Sequence, residues 1–150
     1  MQAFKQHVIQ ICKKQLEDNI QSLSLIMHEI TDSANNETKS SAGDKHETGR
    51  AMMQLEQEKL SKQIADLAAQ KNEFLKIDFE KNYQAINQGS LIETNFGFFL
   101  IAISIGKIQI DEKIVFVISN KSPLAIAFLG KHINSTISFN GVDYLVKKIC

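Results

Sequence analysis

Two series of apolar residues recur every seven positions in the first half of the chain. The first series consists of Ile9, Leu16, Leu23 and Ile30. The second series consists of Met53, Leu60, Leu67 and Phe74. A seven-residue apolar period is typical of helices that pack against each other, and neither helix could bury its stripe alone. Because a connecting segment joins the two series, we predict an antiparallel coiled-coil hairpin.

The segment between the two series, residues 31–49, is polar throughout. Its sequence TDSANNETKSSAGDKHETG contains two glycines and no apolar run. Ser, Thr, Asn and Asp side chains hydrogen-bond to nearby backbone, which favours turns over helix interiors. The segment is also longer than a simple connection between two helices. We therefore predict a tip loop over 31–49, and we interpret the hairpin as a probe that reaches a partner.

The second half contains short apolar runs with the spacing of strands. Residues 91–105 and 108–119 are rich in Ile, Val and Phe, which suit a pleated and half-buried surface. Residues 136–139 and 142–149 flank Asn140-Gly141, the dipeptide favoured in type I′ hairpin turns. These runs predict a small antiparallel sheet.

A short helix is predicted between the strands, within SPLAIAFLGK at residues 122–131. Ser122 is a favoured cap, Pro123 suits the first helical position, and Gly130 suits a left-handed helix end. The predicted fold class is α+β, with a helical hairpin over residues 1–89 and a β domain over residues 90–150.

Composition agrees with this division and excludes several classes of protein. Val and Ile number 9 in residues 1–89 and 16 in residues 90–150. The formal net charge of +0 argues against strong independent nucleic-acid binding, which needs an excess of Lys and Arg. Cys12 and Cys150 are too few for a disulfide framework, and no apolar stretch suits a membrane span. We expect a cytoplasmic protein without membrane contact.

Two stretches resemble the bacterial Gre transcript cleavage factors. Gly43-Asp44-Lys45-His46-Glu47 is similar to the Gly-Asp-x-x-Glu pattern at the tip of the coiled coil of that family. The Ser-Pro…Gly-Lys segment at 122–131 is similar to a segment of its FKBP-like C-terminal domain. The order of the two parts agrees as well, so the resemblance covers nearly the whole chain.

The resemblance implies an accessory factor for RNA polymerase that is not an enzyme by itself. The coiled coil enters the secondary channel and reaches the 3′ end of the nascent RNA. There Asp44 and Glu47 help the polymerase to hold a second Mg²⁺ and to orient water for cleavage of backtracked RNA. Mg²⁺ prefers carboxylate oxygen, and a two-metal site stabilises both the attacking and the leaving oxygen. The free protein is expected to hold no metal and no tightly bound cofactor.

The resemblance also implies that the β domain docks on the polymerase, through a set expected around the short helix: Ser122, Pro123, Leu124, Gly130 and Lys131. The charge of Lys39, Lys45 and Arg50 around the acids predicts contacts of the tip with RNA phosphates or polymerase carboxylates, and His46 is a further candidate for a contact with RNA. The alternative is a mixed-charge loop in solvent.

Other interpretations remain open on the sequence alone. Asp44 and Glu47 also fit a helix-capping pair. Thr48, Gly49 and Arg50 depart from the family pattern, which leaves room for a regulator that occupies the channel without promoting cleavage. The β domain also permits an FKBP-like binding module or chaperone, and the hairpin permits a scaffold that pairs with another coil. Phe96, Phe98 and Phe99 are expected in the core.

Overall fold

Two long helices open the chain. α1 spans Gln2–Glu37 with 36 residues, and α2 spans Gly43–Leu75 with 33 residues. Both are rich in Gln, Lys, Glu, Leu and Ala, whose side chains lose little rotamer freedom in a helix. The predicted helical first half is confirmed.

The computed structural model describes residues 1–37, 43–82 and 84–150; at residues 37 and 43–46 it describes the backbone alone. Lys39 therefore lies outside the described residues.

The chain forms two units of dense internal contact. One unit combines Met1–Lys13 with Glu73–Cys150, and the other is Lys14–Asn72. The strand-containing unit includes buried residues from the beginning of α1 and the end of α2, such as Val8 and Phe74. The domain boundary expected between residues 89 and 90 stays a prediction.

Within the unit Lys14–Asn72, two side-chain contacts define the direction of the helices. Lys71 Nζ lies 3.4 Å from Glu17 Oε1, and Gln57 Nε2 donates a hydrogen bond of 3.1 Å to Thr31 Oγ1. Moving 14 residues forward along α1, from Glu17 to Thr31, moves the partner 14 residues back along α2, from Lys71 to Gln57. The two helices are therefore antiparallel, as predicted.

The polar connection is shorter than the predicted tip loop of 31–49. Residues 31–37 belong to α1, and residues 43–49 belong to α2. Thr31 illustrates the reason, because its Oγ1 donates a 2.8 Å hydrogen bond to the Met27 carbonyl within the helix. Polar side chains can satisfy themselves on the preceding turn in this way, and an established helix extends cooperatively through them.

The second half of the chain forms one six-stranded sheet with spatial order β3-β4-β2-β1-β6-β5. Its elements are β1 Leu91–Thr94, β2 Gly97–Ala102, β3 Gly106–Ile110, β4 Lys113–Ser119, α3 Pro123–Phe128, β5 Thr136–Phe139 and β6 Val142–Ile149. The α+β class and the single short helix are confirmed. The β5–β6 turn also agrees, because Asn140 and Gly141 both have positive φ, at 49° and 77°.

The sheet is mixed, so the prediction of a wholly antiparallel sheet is wrong. β2 and β4 pair in parallel, with Phe99 opposite Phe116. After β2 the chain moves to the sheet edge and forms β3, and β4 then returns into the position between β3 and β2. β3 runs opposite to β2, and β4 runs opposite to β3, so β4 has the same direction as β2. Local alternation of apolar residues carries no information about this order.

One face of the sheet carries the main core, and α3 packs against it. The buried members of this core come from five strands or loops and from the short helix: Ile86, Ile92, Phe99, Ile101, Ala125, Phe128, Ile137 and Val146. Burial of large apolar side chains is the main favourable term in folding, at about 1.5–3 kcal/mol for each. This core therefore fixes the position of α3 on the sheet.

The beginning of α1 belongs to the same unit and packs through aromatic contacts. The Phe4 ring lies 5.0 Å from the Phe98 ring, in an edge-to-face arrangement. Lys113 Nζ lies 4.6 Å from the centre of the Phe4 ring, which adds a cation–π contact. Phe98 thus covers the sheet from the side of α1, whereas Phe99 points into the main core.

Lys5 is fully buried beside these contacts. Its Nζ makes no hydrogen bond with any residue that the structure describes. Burial lowers the pKa of Lys5 below its ordinary value of 10.5, and the neighbouring Cys150, Glu80 and Asp78 offset this only partly. A buried amine without a hydrogen-bond partner destabilises the folded state.

Gly89 occupies a tight position before β1. Its φ is +90°, and a Cβ at this residue would lie 2.7 Å from the Asp78 carbonyl oxygen. Its N–H donates a 2.7 Å hydrogen bond to the Ile101 carbonyl. Glycine is required here for two reasons: the positive φ of the backbone, and the close approach of the Asp78 carbonyl oxygen.

No helix in the described part of the chain is long and apolar enough to cross a membrane.

Lys5→Met should stabilise the protein by about 1–3 kcal/mol at pH 7, since it removes an unpartnered buried amine and keeps the volume. The pKa of Lys5 is lower in the folded state, so unfolding takes up protons. The full cost of burying the charged Lys5 amine is present below the pKa that Lys5 has in the folded state. This cost disappears as the pH rises from there towards 10.5. Urea unfolding at pH 7 and pH 10 should show a smaller difference between variant and wild type at pH 10.

Lys13→Met is the matched control, because Lys13 is an exposed lysine on the same helix. It should leave the free energy of unfolding within about 0.5 kcal/mol of wild type. Equal effects of the two substitutions would contradict a specific penalty at Lys5.

Gly89→Ala should destabilise the protein by more than Gly106→Ala. Both residues have positive φ, +90° and +99°, so both substitutions introduce strain of about 1–3 kcal/mol. Only Gly89 adds a clash, since nothing lies within 4 Å of a Cβ at Gly106. Thermal unfolding of the two variants measures the difference, and equal melting temperatures would rule out the steric role of Asp78.

Candidate functional site

The two predicted catalytic acids lie in the first turns of α2. α2 begins at Gly43, so Asp44 and Glu47 are its second and fifth residues. The Glu47 side chain is exposed, and so is that of Arg50 one turn later. The side chains of Asp44, Lys45 and His46 lie outside the described residues. Two of the six predicted tip residues, Glu47 and Arg50, thus have described side chains, and both face solvent.

Arg50 also lines a pocket on one side of the hairpin. The pocket measures about 270 Å³, and both helices contribute to it. We call it the Arg50 pocket, and its lining residues are Thr31, Ala34, Asn35, Arg50, Met53, Gln54 and Gln57. Five of these seven side chains are polar and none is acidic. The hydrogen bond between Gln57 and Thr31 holds one wall of this pocket in place.

A second groove between the two helices has a different character. It is lined by Glu29, Ile30, Ser33, Met52, Met53 and Glu56. Met52 is 68% exposed, so this groove presents apolar surface between two carboxylates. The two grooves make the hairpin chemically asymmetric near its connection, with a cation on one side and acids on the other.

The short helix α3 has the cap geometry that its sequence predicts. Ser122 Oγ accepts a hydrogen bond of 3.3 Å from the Ala125 N–H, and Pro123 is the first helical residue. Ser122 Oγ also donates to the Ser119 carbonyl at 2.8 Å. Gly130 has φ +78°, as a left-handed position after the helix requires. The cap therefore fixes α3 to the end of β4.

The predicted docking residues lie at the two ends of α3. Leu124 is half-buried and lines an apolar pocket, whereas Ser122 and Pro123 form the start of the helix. Gly130 and Lys131 pair through their backbone with Ile86, at 2.8 Å in both hydrogen bonds. The Lys131 side chain is exposed.

The apolar pocket beside Leu124 is a feature that the sequence analysis missed. It measures about 370 Å³ and lies on the sheet face that carries α3. We call it the aromatic pocket, and its lining residues are Phe96, Phe99, Phe116, Ile118, Leu124, Val142 and Tyr144. The rings of Phe99 and Phe116 stack at 5.2 Å, and Tyr144 meets Phe96 and Phe99 edge-on at 5.5 and 5.6 Å.

The aromatic pocket also revises the expectation for the three neighbouring phenylalanines. Phe99 is buried, as expected, but Phe96 is 55% exposed and forms part of the pocket wall. Phe98 is half-buried against Phe4. The aromatic residues of the pocket are separated by up to 48 positions in sequence, from Phe96 to Tyr144, so only strand pairing brings them together.

Metal and thiol chemistry is not indicated by the residues that the structure describes. None of them forms a group of three or more His, Cys, Asp or Glu side chains suited to a metal ion. Burial raises the pKa of the Cys12 thiol to about 12, so this cysteine is protonated at neutral pH and unreactive. Its role is that of a small apolar side chain in the core.

No protein-family model matches this chain, and no curated protein matches it.

Proposed function

We propose that this protein is a Gre-type factor that binds RNA polymerase through its secondary channel and stimulates cleavage of backtracked RNA. The observation that carries the proposal is the position of Gly43-Asp44-x-x-Glu47 at the start of the second helix of an antiparallel hairpin. A β unit with the Ser-Pro…Gly-Lys helix follows in the same chain. Such a factor acts in the cytoplasm, where the bacterial polymerase is found.

The spacing of the two acids suits a shared metal ion. Asp44 and Glu47 are three residues apart in α2, and residues at this spacing are neighbours on a helix surface. Mg²⁺ binds carboxylate oxygen and demands six ligands in octahedral geometry. Two carboxylates leave most of this shell to the acids of the polymerase, the RNA phosphate and water. The free protein would therefore bind Mg²⁺ weakly, and it would be an accessory factor without activity of its own.

The aromatic pocket supports a docking role for the β unit. Leu124, one of the expected docking residues, lines it, and Phe96 exposes more than half of its surface beside it. Interfaces draw much of their affinity from a few apolar or aromatic side chains that enter well-packed pockets. A preformed pocket also loses little conformational entropy on binding. We propose that an apolar side chain of the polymerase enters this pocket.

The same pocket favours a second candidate, a peptide-binding module of the FKBP type. The specific observation is an apolar pocket of about 370 Å³ with four aromatic rings, within the size range of ligand sites. An isomerisation assay on a proline-containing peptide should use the whole chain, because residues 90–150 alone lack parts of their compact unit. This candidate is favoured if the wild-type chain catalyses isomerisation of the peptide and the Phe96→Ala variant does not.

Asp44→Asn and Glu47→Gln should each reduce cleavage of RNA in a stalled elongation complex by at least tenfold. The substitutions keep the shape of the side chains and remove the charge that the shared Mg²⁺ requires. Cleavage is measured as the rate of shortening of the labelled RNA, with polymerase from the same organism and saturating factor.

Glu58→Gln is the matched control, because Glu58 is an exposed acid further along α2. With Glu58→Gln the rate of RNA cleavage should equal the rate with wild type, and all three variants should keep the melting temperature of wild type. If Asp44→Asn and Glu47→Gln both stimulate cleavage at the wild-type rate, the catalytic role of these acids is contradicted. A wild-type factor that binds polymerase without stimulating cleavage would instead support the regulator that occupies the channel.

Phe96→Ala should weaken binding to polymerase by at least tenfold, which is the effect expected for an aromatic hot spot. Ile133→Ala is the matched control: Ile133 is 49% exposed, lies outside α3 and does not line the aromatic pocket. Binding is measured by the change in anisotropy of labelled factor. Equal affinities of the two variants would show that docking does not use this pocket.

A further inference from the structure

The Arg50 pocket has a composition that selects for anions. Among the lining residues that the structure describes, the polar side chains are one guanidinium, three amides and one hydroxyl, and none is a carboxylate. Arg50 makes no ion pair with any carboxylate whose side chain the structure describes, although Glu47 lies only three residues before it. Its planar donor fork suits the oxygens of an external oxyanion.

The donors of the pocket form a row along α2. Arg50, Gln54 and Gln57 follow at spacings of four and three residues, which places them on one face of the helix. Gln57 already donates to Thr31 Oγ1, so its side chain is held in the wall by α1. Opposite this row, Ala34 contributes only a methyl group, and the space between the helices stays open.

The length of this row bears on the kind of anion. Gln57 follows Arg50 by seven positions, which corresponds to about 10 Å along the helix axis. A single carboxylate has two oxygens and engages one donor fork. Two linked phosphates carry oxygens at both ends, so such a group reaches several donors of the row together. The apolar side chain of Met53 in the wall leaves room for the organic part of a ligand.

We propose that the Arg50 pocket binds a diphosphate group of a small molecule, with Arg50 holding one phosphate and the amides of Gln54 and Gln57 the other. This binding is a property of the free protein and is separate from the function proposed above. A ligand that fills the pocket would bridge α1 and α2 close to the start of the helix that carries Asp44 and Glu47. It would thereby stabilise the hairpin near the acids.

The test is calorimetric titration of the whole chain with inorganic pyrophosphate, in low salt and without metal. Wild type should bind pyrophosphate at least fivefold more tightly than orthophosphate. Arg50→Gln should weaken pyrophosphate binding by at least fivefold. Ala34→Leu should do the same with Arg50 intact, because the larger side chain fills the space between the helices; unchanged helical circular dichroism would show that the hairpin remains folded.

Lys59→Gln is the control for general attraction of anions, since it removes the same charge from an exposed position on α2 outside the pocket. It should leave the affinity within twofold of wild type. The proposal is wrong if wild type does not bind pyrophosphate, if orthophosphate binds equally well, or if Lys59→Gln weakens binding as much as Arg50→Gln. None of these outcomes depends on RNA polymerase, so they leave the proposed function to its own tests.

Discussion

The β unit depends on the burial of one face of a six-stranded sheet by a helix of only six residues. α3 packs Ala125 and Phe128 into that face and is held there by the Ser122 cap. A helix of this length is too short to cover six strands. The uncovered part of the face is closed by aromatic rings that pack against one another, and the aromatic pocket is what remains open between them. The strongest candidate docking surface therefore follows from incomplete coverage of the core.

The hairpin is subject to a different constraint. Two helices can bury only the stripe that each presents to the other, so the residues beside the seam determine the chemical character of the exposed hairpin surface. Around residues 50–57 of α2 these residues differ between the two sides. One side has Arg50 and glutamines, and the other has Met52 between Glu29 and Glu56. The α2 residues of both grooves follow Glu47 within ten positions, so the predicted acids and the two grooves lie in the same part of α2.

The first residues of α1 show how strongly packing within the β unit overrides local preference. Lys5 is a polar residue that would ordinarily stay in water. It is buried because the residues around it, Phe4 on Phe98 and Val8 in the core, hold the beginning of the helix against the strands. The gain from these apolar neighbours offsets the cost of desolvating one amine. A sequence pattern read along α1 alone gives no sign of this, since Lys5 looks like any exposed helical lysine.

Local chemistry made several parts of the candidate sites predictable. Ser122 and Pro123 begin α3, and Asn140-Gly141 forms the β5–β6 turn, because caps and tight turns depend on residues that are neighbours in sequence. The helical position of Glu47 did not follow in this way, because the polar stretch 31–49 that contains it predicts a loop, whereas α2 begins at Gly43. The aromatic pocket was not predictable, since Phe96, Phe116 and Tyr144 meet only when the strands are ordered.

The sequence by itself determined the α+β class, the antiparallel hairpin and the local turns and caps, because seven-residue periods, turn dipeptides and cap residues act over a few positions. Tertiary structure alone decided the parallel pairing of β2 with β4, the burial of Lys5 and the extent of the polar connection between the helices. Each of these depends on which distant segments compete for the same apolar surface. That competition is settled by packing of the whole unit, which no short stretch of residues encodes.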